Sequence, residues 1–181
     1  FAGTLGDRFG RKPVLIAGWL VALPIPLLII WAPTWGWVVF ANVLLGVNQG
    51  LTWSTTVIMK IDLVGPTKRG LAMGLNEAAG YGAVAVTALA TGYIAQRFGL
   101  RPEPFFLGIA FAGLGLGVSV FFVRETLGHA RHEAITHDAA HDTQSQALST
   151  KEIFMLTSFR DKALSSCSQA GMINNLNDGL D

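Results

Sequence analysis

The sequence predicts an all-α fold, a polytopic bundle of membrane-spanning helices, on the strength of its composition and of where its charges lie. Of the 181 residues, 51% are hydrophobic and only 14% are charged, whereas an ordinary soluble domain carries about 25% charged residues. The stretches 13–59, 70–96 and 104–123 together carry one charge, that of Glu77. A soluble domain cannot hide three such stretches, because its surface needs polar cover.

The same composition excludes several other classes of protein. A net charge of +1 provides no basic field for nucleic acid. The single Cys167 excludes a disulfide scaffold. No nucleophile, base and orienting group recur at a credible spacing, so we do not expect an enzyme, and no cofactor beyond a coupling proton or ion is expected. The expected partners are the lipid bilayer and a small-molecule substrate.

The uncharged stretch 13–59 is long enough for two membrane helices, because one crossing takes about 20 apolar residues. The segment Ala32-Pro33-Thr34-Trp35-Gly36 divides it, and we predict helices over 14–32 and 36–58. Tryptophans cluster around this break, as amphipathic aromatic residues do at a membrane interface: Trp31, Trp35 and Trp37.

Two further helices are predicted over 70–95 and 104–123. A loop over 60–69, with Gly65-Pro66 as its turn, precedes the first of them. A hairpin over 96–102 separates the two helices. Residues 1–123 are thus expected to contain four membrane helices.

A polar stretch over 124–162 is expected to lie outside the membrane, and an apolar segment begins again over 163–181. The stretch contains all four histidines of the chain, but no cysteine accompanies them, so a solvated linker is favoured over a metal site. Ser149-x-x-Glu152 has the spelling of a helix capping box.

The distribution of Lys and Arg predicts the orientation of the chain. One side would carry eight of these residues: Arg8, Arg11, Lys12, Lys60, Lys68, Arg69, Arg124 and Arg131. The other would carry Arg97 and Arg101. The segments 1–12, 60–69 and 124–162 are therefore expected in the cytoplasm, with the protein in an inner or plasma membrane.

One short motif is far more specific than the composition. Residues 3–12 read Gly-Thr-Leu-Gly-Asp-Arg-Phe-Gly-Arg-Lys. This resembles the signature G-x-L-x-D-R-x-G-R-[RK] of the major facilitator superfamily, which lies between the second and third helices of those transporters. The resemblance implies that the chain is an internal fragment running from the end of helix 2 to the start of helix 7, and that the missing remainder of the transporter is a partner. It also implies that 1–123 form part of the N-terminal transmembrane half, that 124–162 connect the two halves in the cytoplasm, and that 163–181 begin the second half.

The resemblance also implies a gating role for this loop. Glycines at Gly3 and Gly10 let the chain turn and the backbones pass closely. Asp7 is an anion suited to a helix N-terminus. In the family this acid contacts a helix of the other half and stabilises one access state. Glu125 belongs to a segment similar to the P-E-T-x-G ending of helix 6 and is expected to pair with Arg11 or Arg8. The expected gating residues are Gly3, Asp7, Arg8, Gly10, Arg11 and Glu125.

Two departures from family patterns limit what the resemblance implies. The segment Gly46-Val47-Asn48-Gln49-Gly50 lacks the Arg of the R-x-x-Q-G pattern found in many proton-coupled members. The segment 74–82 lacks the Gly-Pro pair of many drug antiporters. Small residues at four-residue spacing, such as Gly74, Ala78 and Gly82, are expected to let helices pack closely.

Polar residues within predicted helices are the candidates for a substrate or ion cavity, because such groups are costly in a membrane. The candidates are Asn48, Gln49, Asn76, Glu77, Asn174, Asn177 and Asp178. For Asn48 and Gln49, packing hydrogen bonds explain the amides almost as well. For Glu77 the alternative is a structural acid paired with a loop cation, and for Asp178 it is a loop position.

The sequence thus favours secondary active transport of a small solute by alternating access, with proton coupling as an open question. No Walker A motif supports an ATP-driven pump. The alternatives are a membrane scaffold or receptor that does not transport, and an inactive truncated transporter.

Overall fold

A computed structural model describes residues 2–130 together with 132, 152, 155, 159–162 and 165–166. All regular structure within these residues is helical. The helices are α1 (Ala2–Phe9), α2 (Arg11–Ala22), α3 (Pro24–Ile30), α4 (Trp35–Phe98) and α5 (Glu103–Phe121). The chain divides into two compact units, Phe1–His137 and Asp138–Asp181. All five helices belong to the first unit.

The helices α2 and α3 form one apolar span, Arg11–Ile30. The span is interrupted at Leu23, which precedes Pro24 and Pro26. Neither proline has a backbone N–H to donate, which explains a break in the helical pattern at this point. The backbone N–H of Leu23 still bonds to the carbonyl of Trp19 at 3.2 Å, so the two helices run on as one path.

The helix α4 is helical throughout, yet it folds back on itself. Along a straight helix Trp53 and Gly80 would lie about 40 Å apart, and Lys60 and Asn76 about 24 Å apart. In the structure a Cβ added to Gly80 would lie 2.6 Å from the Trp53 ring, and Lys60 Nζ donates a hydrogen bond to Asn76 Oδ1. Both pairs are centred near residues 66–68, so the chain direction reverses there.

This finding corrects the expectation of a non-helical loop over 60–69. The backbone remains helical there, although Gly65 and Pro66 are the two residue types least favoured within a helix. The reversal still coincides with Gly65-Pro66, and sharp helix bends are almost always found at proline or glycine. We call residues 35–64 the first arm of α4 and residues 68–98 its second arm.

Within the part of the chain that the structure describes, three helical segments are long and apolar enough to cross a membrane: Arg11–Ile30, Lys68–Phe98 and Glu103–Phe121. The first arm of α4, which contains the predicted helix 36–58, is not among them. It carries polar residues that line up on one face: Asn48, Thr52, Thr55 and Asp62, each of which is buried. That this arm crosses the membrane stays a prediction from the sequence. The labelling experiment in the Discussion tests it.

The buried stripe of the first arm explains how the unit is packed. Its members recur at intervals of four, three and seven residues, which places them on one side of a helix. That side faces α2, where a Cβ on Gly18 would lie 2.7 Å from Thr52 Cγ2. A small apolar core joins α2, α3, α4 and α5 through Ala22, Ile25, Ala41 and Ala112.

The close approaches between helices do not occur at the glycines that the spacing pattern indicated. A Cβ on Gly46, Gly50, Gly74, Gly82, Gly113 or Gly117 would meet nothing within 4 Å in the part of the chain that the structure describes. The tight contacts are at Gly18, Gly80 and Gly115. The reason is that a small residue permits a close approach only where a neighbouring helix actually crosses.

Of the second unit, few residues are described. The backbone N–H of Ser165 bonds to the carbonyl of Asp161 at 2.9 Å, and Ser166 Oγ donates to the carbonyl of Lys162 at 2.7 Å. These are contacts of a helical turn. The predicted cap at Ser149 and the connection 133–151 lie outside the described residues.

Candidate functional site

The candidate site is built around the junction between α1 and α2. Gly10 separates these helices and has a φ of +96°, a region that glycine occupies at little cost. Its N–H bonds to the carbonyl of Gly6 at 3.0 Å. A Cβ on Gly10 would lie 2.6 Å from Glu125 Oε2. Both the backbone conformation and the available space therefore require glycine at this position.

Glu125 closes the N-terminus of α2. Its Oε1 accepts a hydrogen bond from the backbone N–H of Arg11 at 2.9 Å, and its Oε2 accepts one from the N–H of Lys12 at 3.0 Å. The first N–H groups of a helix have no acceptor within the helix, and the positive end of the helix dipole favours an anion. A carboxylate from the far end of the unit thus supplies the cap.

Glu125 also caps the short helical turn that follows it. Its Oε1 accepts hydrogen bonds from the N–H groups of Thr126 and Leu127, each at 3.0 Å. Burial alone would raise the pKa of Glu125. The backbone hydrogen bonds from Arg11, Leu127, Lys12 and Thr126 outweigh it and lower the pKa below its ordinary value.

The guanidinium of Arg11 forms the second half of the site. Its Nη1 lies 2.6 Å from Asp7 Oδ1, and its Nε lies 3.3 Å from Asp62 Oδ2. Thr126 Oγ1 donates to the same Asp62 oxygen at 3.1 Å. One charged cluster therefore joins α1, α2, the first arm of α4 and the segment after α5.

The members of this cluster differ in their exposure to solvent. The side chains of Arg11 and Asp62 are only 8% and 10% exposed, whereas that of Asp7 is 67% exposed. A buried charge that loses its partner is strongly destabilising, while an exposed pair contributes little. We therefore call the buried Arg11–Asp62 pair the structural half of the cluster. The exposed Asp7 is its open half, because its carboxylate can still contact another group.

Most of the predicted gating residues come together here. Asp7 bonds to the Arg11 side chain, and the acid at the N-terminus of α2 is Glu125. Arg8 stays outside the cluster, with its guanidinium 5.3 Å from the centre of the Phe9 ring. Gly3 lies one helical turn before Asp7, and a Cβ there would be 3.8 Å from Ile58.

Lys12 has more than the positive-inside role expected of it. Besides its backbone bond to Glu125, its Nζ donates to the carbonyl of Val120 at 2.8 Å. That carbonyl belongs to the last turn of α5, where orphan carbonyls and the helix dipole favour a cation. Lys12 thereby links the start of α2 to the end of α5.

Sequence reasoning missed Asp62 and Thr126. Asp62 is separated from Arg11 by 51 residues and was assigned to a loop. A usable signal did exist, because Asp62 continues the three- and four-residue spacing of Asn48, Thr52 and Thr55. An acid at the end of a buried stripe requires a buried cation nearby.

The polar residues proposed for a cavity fall into three groups. Asn48 is buried, and its Nδ2 donates to the carbonyl of Gly18 at 2.9 Å; this contact is the packing alternative considered for it. Gln49, next to it, is exposed. The described residues do not include Asn174, Asn177 and Asp178. The role expected of these three residues therefore stays a prediction.

Asn76 and Glu77 lie near the start of the second arm of α4. Asn76 is buried, accepts a hydrogen bond from Lys60 Nζ, and donates from Nδ2 to Glu77 Oε1 at 3.4 Å. Glu77 itself is exposed. Lys60 of the first arm thus contacts this pair through Asn76.

Neither the histidines nor the acids form a metal site within the described residues, where no group of three His, Cys, Asp or Glu side chains has suitable geometry. His129 and His132 belong to those residues, whereas His137 and His141 do not.

The chain matches one family model and several curated proteins. Residues 1–175 match the family model of the Major Facilitator Superfamily. Multidrug resistance protein 2 of Bacillus subtilis is 32% identical over 76% of this chain and 34% of its own length. Multidrug resistance protein MdtG of Dickeya zeae is 29% identical over 75% of this chain and 33% of its own length.

A third relative is the multi-drug resistance efflux pump PmrA of Streptococcus pneumoniae, which is 26% identical over 84% of this chain and 35% of its own length. The chain therefore spans about one third of the length of the curated relatives it matches. No solved structure matches it.

Proposed function

Because this chain belongs to the Major Facilitator Superfamily, we propose that the full-length protein is a secondary active transporter that moves a small solute across an inner or plasma membrane by alternating access. Its relatives and its apolar helices make it an integral membrane protein and favour transport over catalysis. The observation that carries the mechanism is the charged cluster of Arg11, Asp7, Asp62 and Glu125.

The cluster is suited to holding one access state. It ties the loop between α1 and α2 to α4 and to the exit of α5 through contacts of 2.6 to 3.3 Å. Asp7 keeps most of its side chain exposed, so it is available to a helix of the other transmembrane half. A small number of such contacts is enough to bias two states of similar free energy.

For the solute we propose amphipathic organic compounds and outward transport. The support is that three relatives are multidrug resistance proteins or an efflux pump. The segment 74–82 has no Gly-Pro pair, so the chain lacks one sequence pattern of drug antiporters. Export by a transporter without that pattern is still consistent with the sequence.

The test is transport by the full-length protein in proteoliposomes loaded with a fluorescent amphipathic cation such as ethidium. We expect flux that depends on the protein and that falls in Asp7→Asn at equal protein content. Arg101→Gln is the matched control, because Arg101 lies in the hairpin between α4 and α5, away from the cluster. A protein that reconstitutes fully but supports no flux of any tested compound would favour the scaffold or receptor alternative.

Proton coupling is the finer part of this proposal, and Glu77 is its candidate within the described residues. Glu77 is exposed on the second arm of α4 and contacts Asn76. We expect Glu77→Gln to keep binding measurable and to alter turnover and its pH dependence, and Asp178→Asn to abolish binding or shift its pH dependence. Equilibrium binding and exchange flux, measured against pH for both variants, distinguish them. Normal behaviour of both would remove these acids from the coupling path.

A further inference from the structure

A chain of three polar side chains joins the two arms of α4. Lys60 of the first arm donates a hydrogen bond from Nζ to Asn76 Oδ1 of the second arm. Asn76 in turn donates from Nδ2 to Glu77 Oε1 at 3.4 Å. Asn76 is only 5% exposed, so the amide that connects the cation to the acid is enclosed by this chain itself. The contact between the arms therefore ends on an acid that is able to take up a proton.

The charge of Lys60 acts on Glu77 through this amide. A hydrogen bond with an ionised partner is roughly twice as strong as a neutral one, and hydrogen bonds in a chain polarise one another. The ammonium group of Lys60 thus strengthens the bond from Asn76 to an ionised Glu77. A protonated Glu77 is a weaker acceptor and leaves the charge of Lys60 without an anion. Proton uptake should therefore loosen the contact between the arms.

Lys60 and Asp62 hold the first arm from two different sides. Two residues along an α-helix are about 200° apart, so Asp62 faces Arg11 of α2 while Lys60 faces the second arm. The last turn of the first arm is thus fixed by an ion pair on one side and by the polar chain on the other. A change at Lys60 therefore acts on the same helical turn that carries Asp62 of the charged cluster.

A second contact between the arms is apolar. A Cβ on Gly80 would lie 2.6 Å from the Trp53 ring, and Trp53 lies about 10 Å from Lys60 along the first arm. This contact contains no titratable group, so the protonation of Glu77 does not act on it directly. The arms are therefore joined by one contact that is independent of pH and, nearer the bend, by one that ends on an acid.

We propose that Lys60 and Asn76 are positioning residues that transmit the protonation of Glu77 to the first arm of α4. With Glu77 ionised, the polar chain holds the two arms together. When Glu77 takes up a proton, the chain opens, and the last turn of the first arm is held by α2 alone. The inference rests on the coupling role proposed above for Glu77, and it connects that role to the cluster around Arg11.

A test of this chain has to separate Lys60 from the other charges nearby. Lys68 provides the matched control, because it is exposed at the start of the second arm and lies about 13 Å along the helix from Glu77. Lys68→Gln removes the same charge as Lys60→Gln and leaves the polar chain intact. The other titratable groups around the chain are Arg69 and Tyr81 on the second arm and, around the groove that Lys60 lines, Arg124, Glu125 and His129.

Exchange flux of ethidium by the full-length protein in proteoliposomes, measured against pH, is the first test. The response that belongs to Glu77 is the part that Glu77→Gln removes. Lys60→Gln keeps a hydrogen-bond donor but loses the charge, and we expect it to lose most of the same response. Lys60→Arg should retain the response, Asn76→Leu should lose it, and Lys68→Gln should behave like wild type. If Asn76→Leu does not fold, the pair Lys60→Gln and Lys60→Arg still decides the result.

A cross-link between the arms tests whether the chain has to open. In a cysteine-free background, Lys60→Cys and Asn76→Cys are joined by a short bifunctional methanethiosulfonate whose spacer replaces the lysine side chain. Before cross-linking, this double variant should exchange ethidium without the Glu77-dependent response. After cross-linking it should lose most of its exchange while still binding ethidium, and reduction with dithiothreitol should restore the exchange.

Three results would overturn the inference. A wild-type response in Lys60→Gln would show that Glu77 acts without the chain. An equal loss in Lys68→Gln would show that only the summed positive charge matters. Full exchange by the cross-linked protein would show that the arms do not separate during transport.

Failure of the inference and failure of the proposed function give different results. Ethidium flux without any response that depends on Glu77 would contradict coupling through this acid, and the inference with it, while transport itself would stand. The absence of all flux would contradict the proposed transport, on which the inference rests.

Discussion

The carboxylate of Glu125 caps the helix that begins at Arg11, with 2.9 Å between Oε1 and the backbone nitrogen, although 114 residues separate the two. Helix caps are usually supplied by the residue just before the helix. Here that position is Gly10, which has no side chain to offer. The glycine instead leaves room for an acid from elsewhere in the chain.

Removing this cap should destabilise the protein. We expect Glu125→Ala to lower the free energy of unfolding by about 1 kcal/mol, the usual cost of losing a cap. Gly10→Ala should act in the same direction, because it introduces a Cβ at positive φ and against Glu125 Oε2. Thermal unfolding of the full-length protein in detergent measures both. Gly46→Ala is the control, since a Cβ there meets nothing within 4 Å, and an equal loss in that variant would contradict the argument.

The charge of Glu125 also predicts how stability depends on pH. Because the pKa of Glu125 is lowered in the folded protein, its contribution is fully present above the unfolded value of about 4.3 and is lost as pH falls through the folded value. The difference in unfolding midpoint between wild type and Glu125→Gln should therefore be constant near neutrality and shrink below about pH 4. A difference that grows on acidification would show that another group dominates.

The two acids that contact Arg11 should behave differently when neutralised. Asp62→Asn leaves a buried guanidinium short of charge compensation and should cost on the order of 3 kcal/mol. Asp7→Asn removes an exposed partner and should cost less than about 1 kcal/mol, while still lowering flux. Chemical or thermal unfolding and ethidium flux, measured on the same preparations, separate these effects. Equal stability losses for the two variants would contradict the division into a structural and an open half.

The crossing of α2 and the first arm of α4 depends on Gly18. A Cβ there would lie 2.7 Å from Thr52 Cγ2 and 3.2 Å from the Thr52 backbone nitrogen, and a backbone atom cannot turn aside as a side chain does. Gly18→Ala should cost about 1–3 kcal/mol through overpacking. Gly50→Ala, which has open space around it, should be neutral or slightly stabilising. Unfolding curves of the two variants that coincide would disprove the close crossing.

The orientation inferred from Lys and Arg is open to a labelling test. In a Cys167→Ser background, Thr34→Cys should react with a membrane-impermeant maleimide added from outside the cell. Gly128→Cys should react only when the reagent reaches the cytoplasm. Both positions are exposed in the structure, so burial would not mask the result. The reverse pattern would overturn the assignment of 1–12, 60–69 and 124–162 to the cytoplasm.

How much of this site the sequence could predict depended on the distance between partners along the chain. Asp7 and Arg11 are four residues apart, so a helical junction brings them together, and both belong to the sequence motif at residues 3–12. Glu125 was expected to meet Arg11 because its segment resembles a family pattern. What could not be foreseen was that it would bind the backbone N–H rather than the guanidinium, since that depends on where α2 begins.

Contacts that depend on helix register were harder to foresee. Asp62 contacts Arg11 only because the buried stripe of the first arm of α4 faces α2. No local sequence pattern predicts which neighbouring helix a given face of the arm will pack against. Asn76 and Lys60 are in contact because α4 reverses direction between them. The reversal itself followed from Gly65-Pro66, but the helical backbone through it did not, because propensity near the turn competes with the proline.

The cap at Arg11 also has a consequence for the time order of assembly. At synthesis rates of about 5–20 residues per second, Glu125 leaves the ribosome about 6 to 23 s after Arg11. During that interval the first N–H groups of α2 have no carboxylate from Glu125 to accept their hydrogen bonds. The junction is therefore completed only when the exit of α5 has been made, so a nascent chain that stops earlier lacks the cap at Arg11.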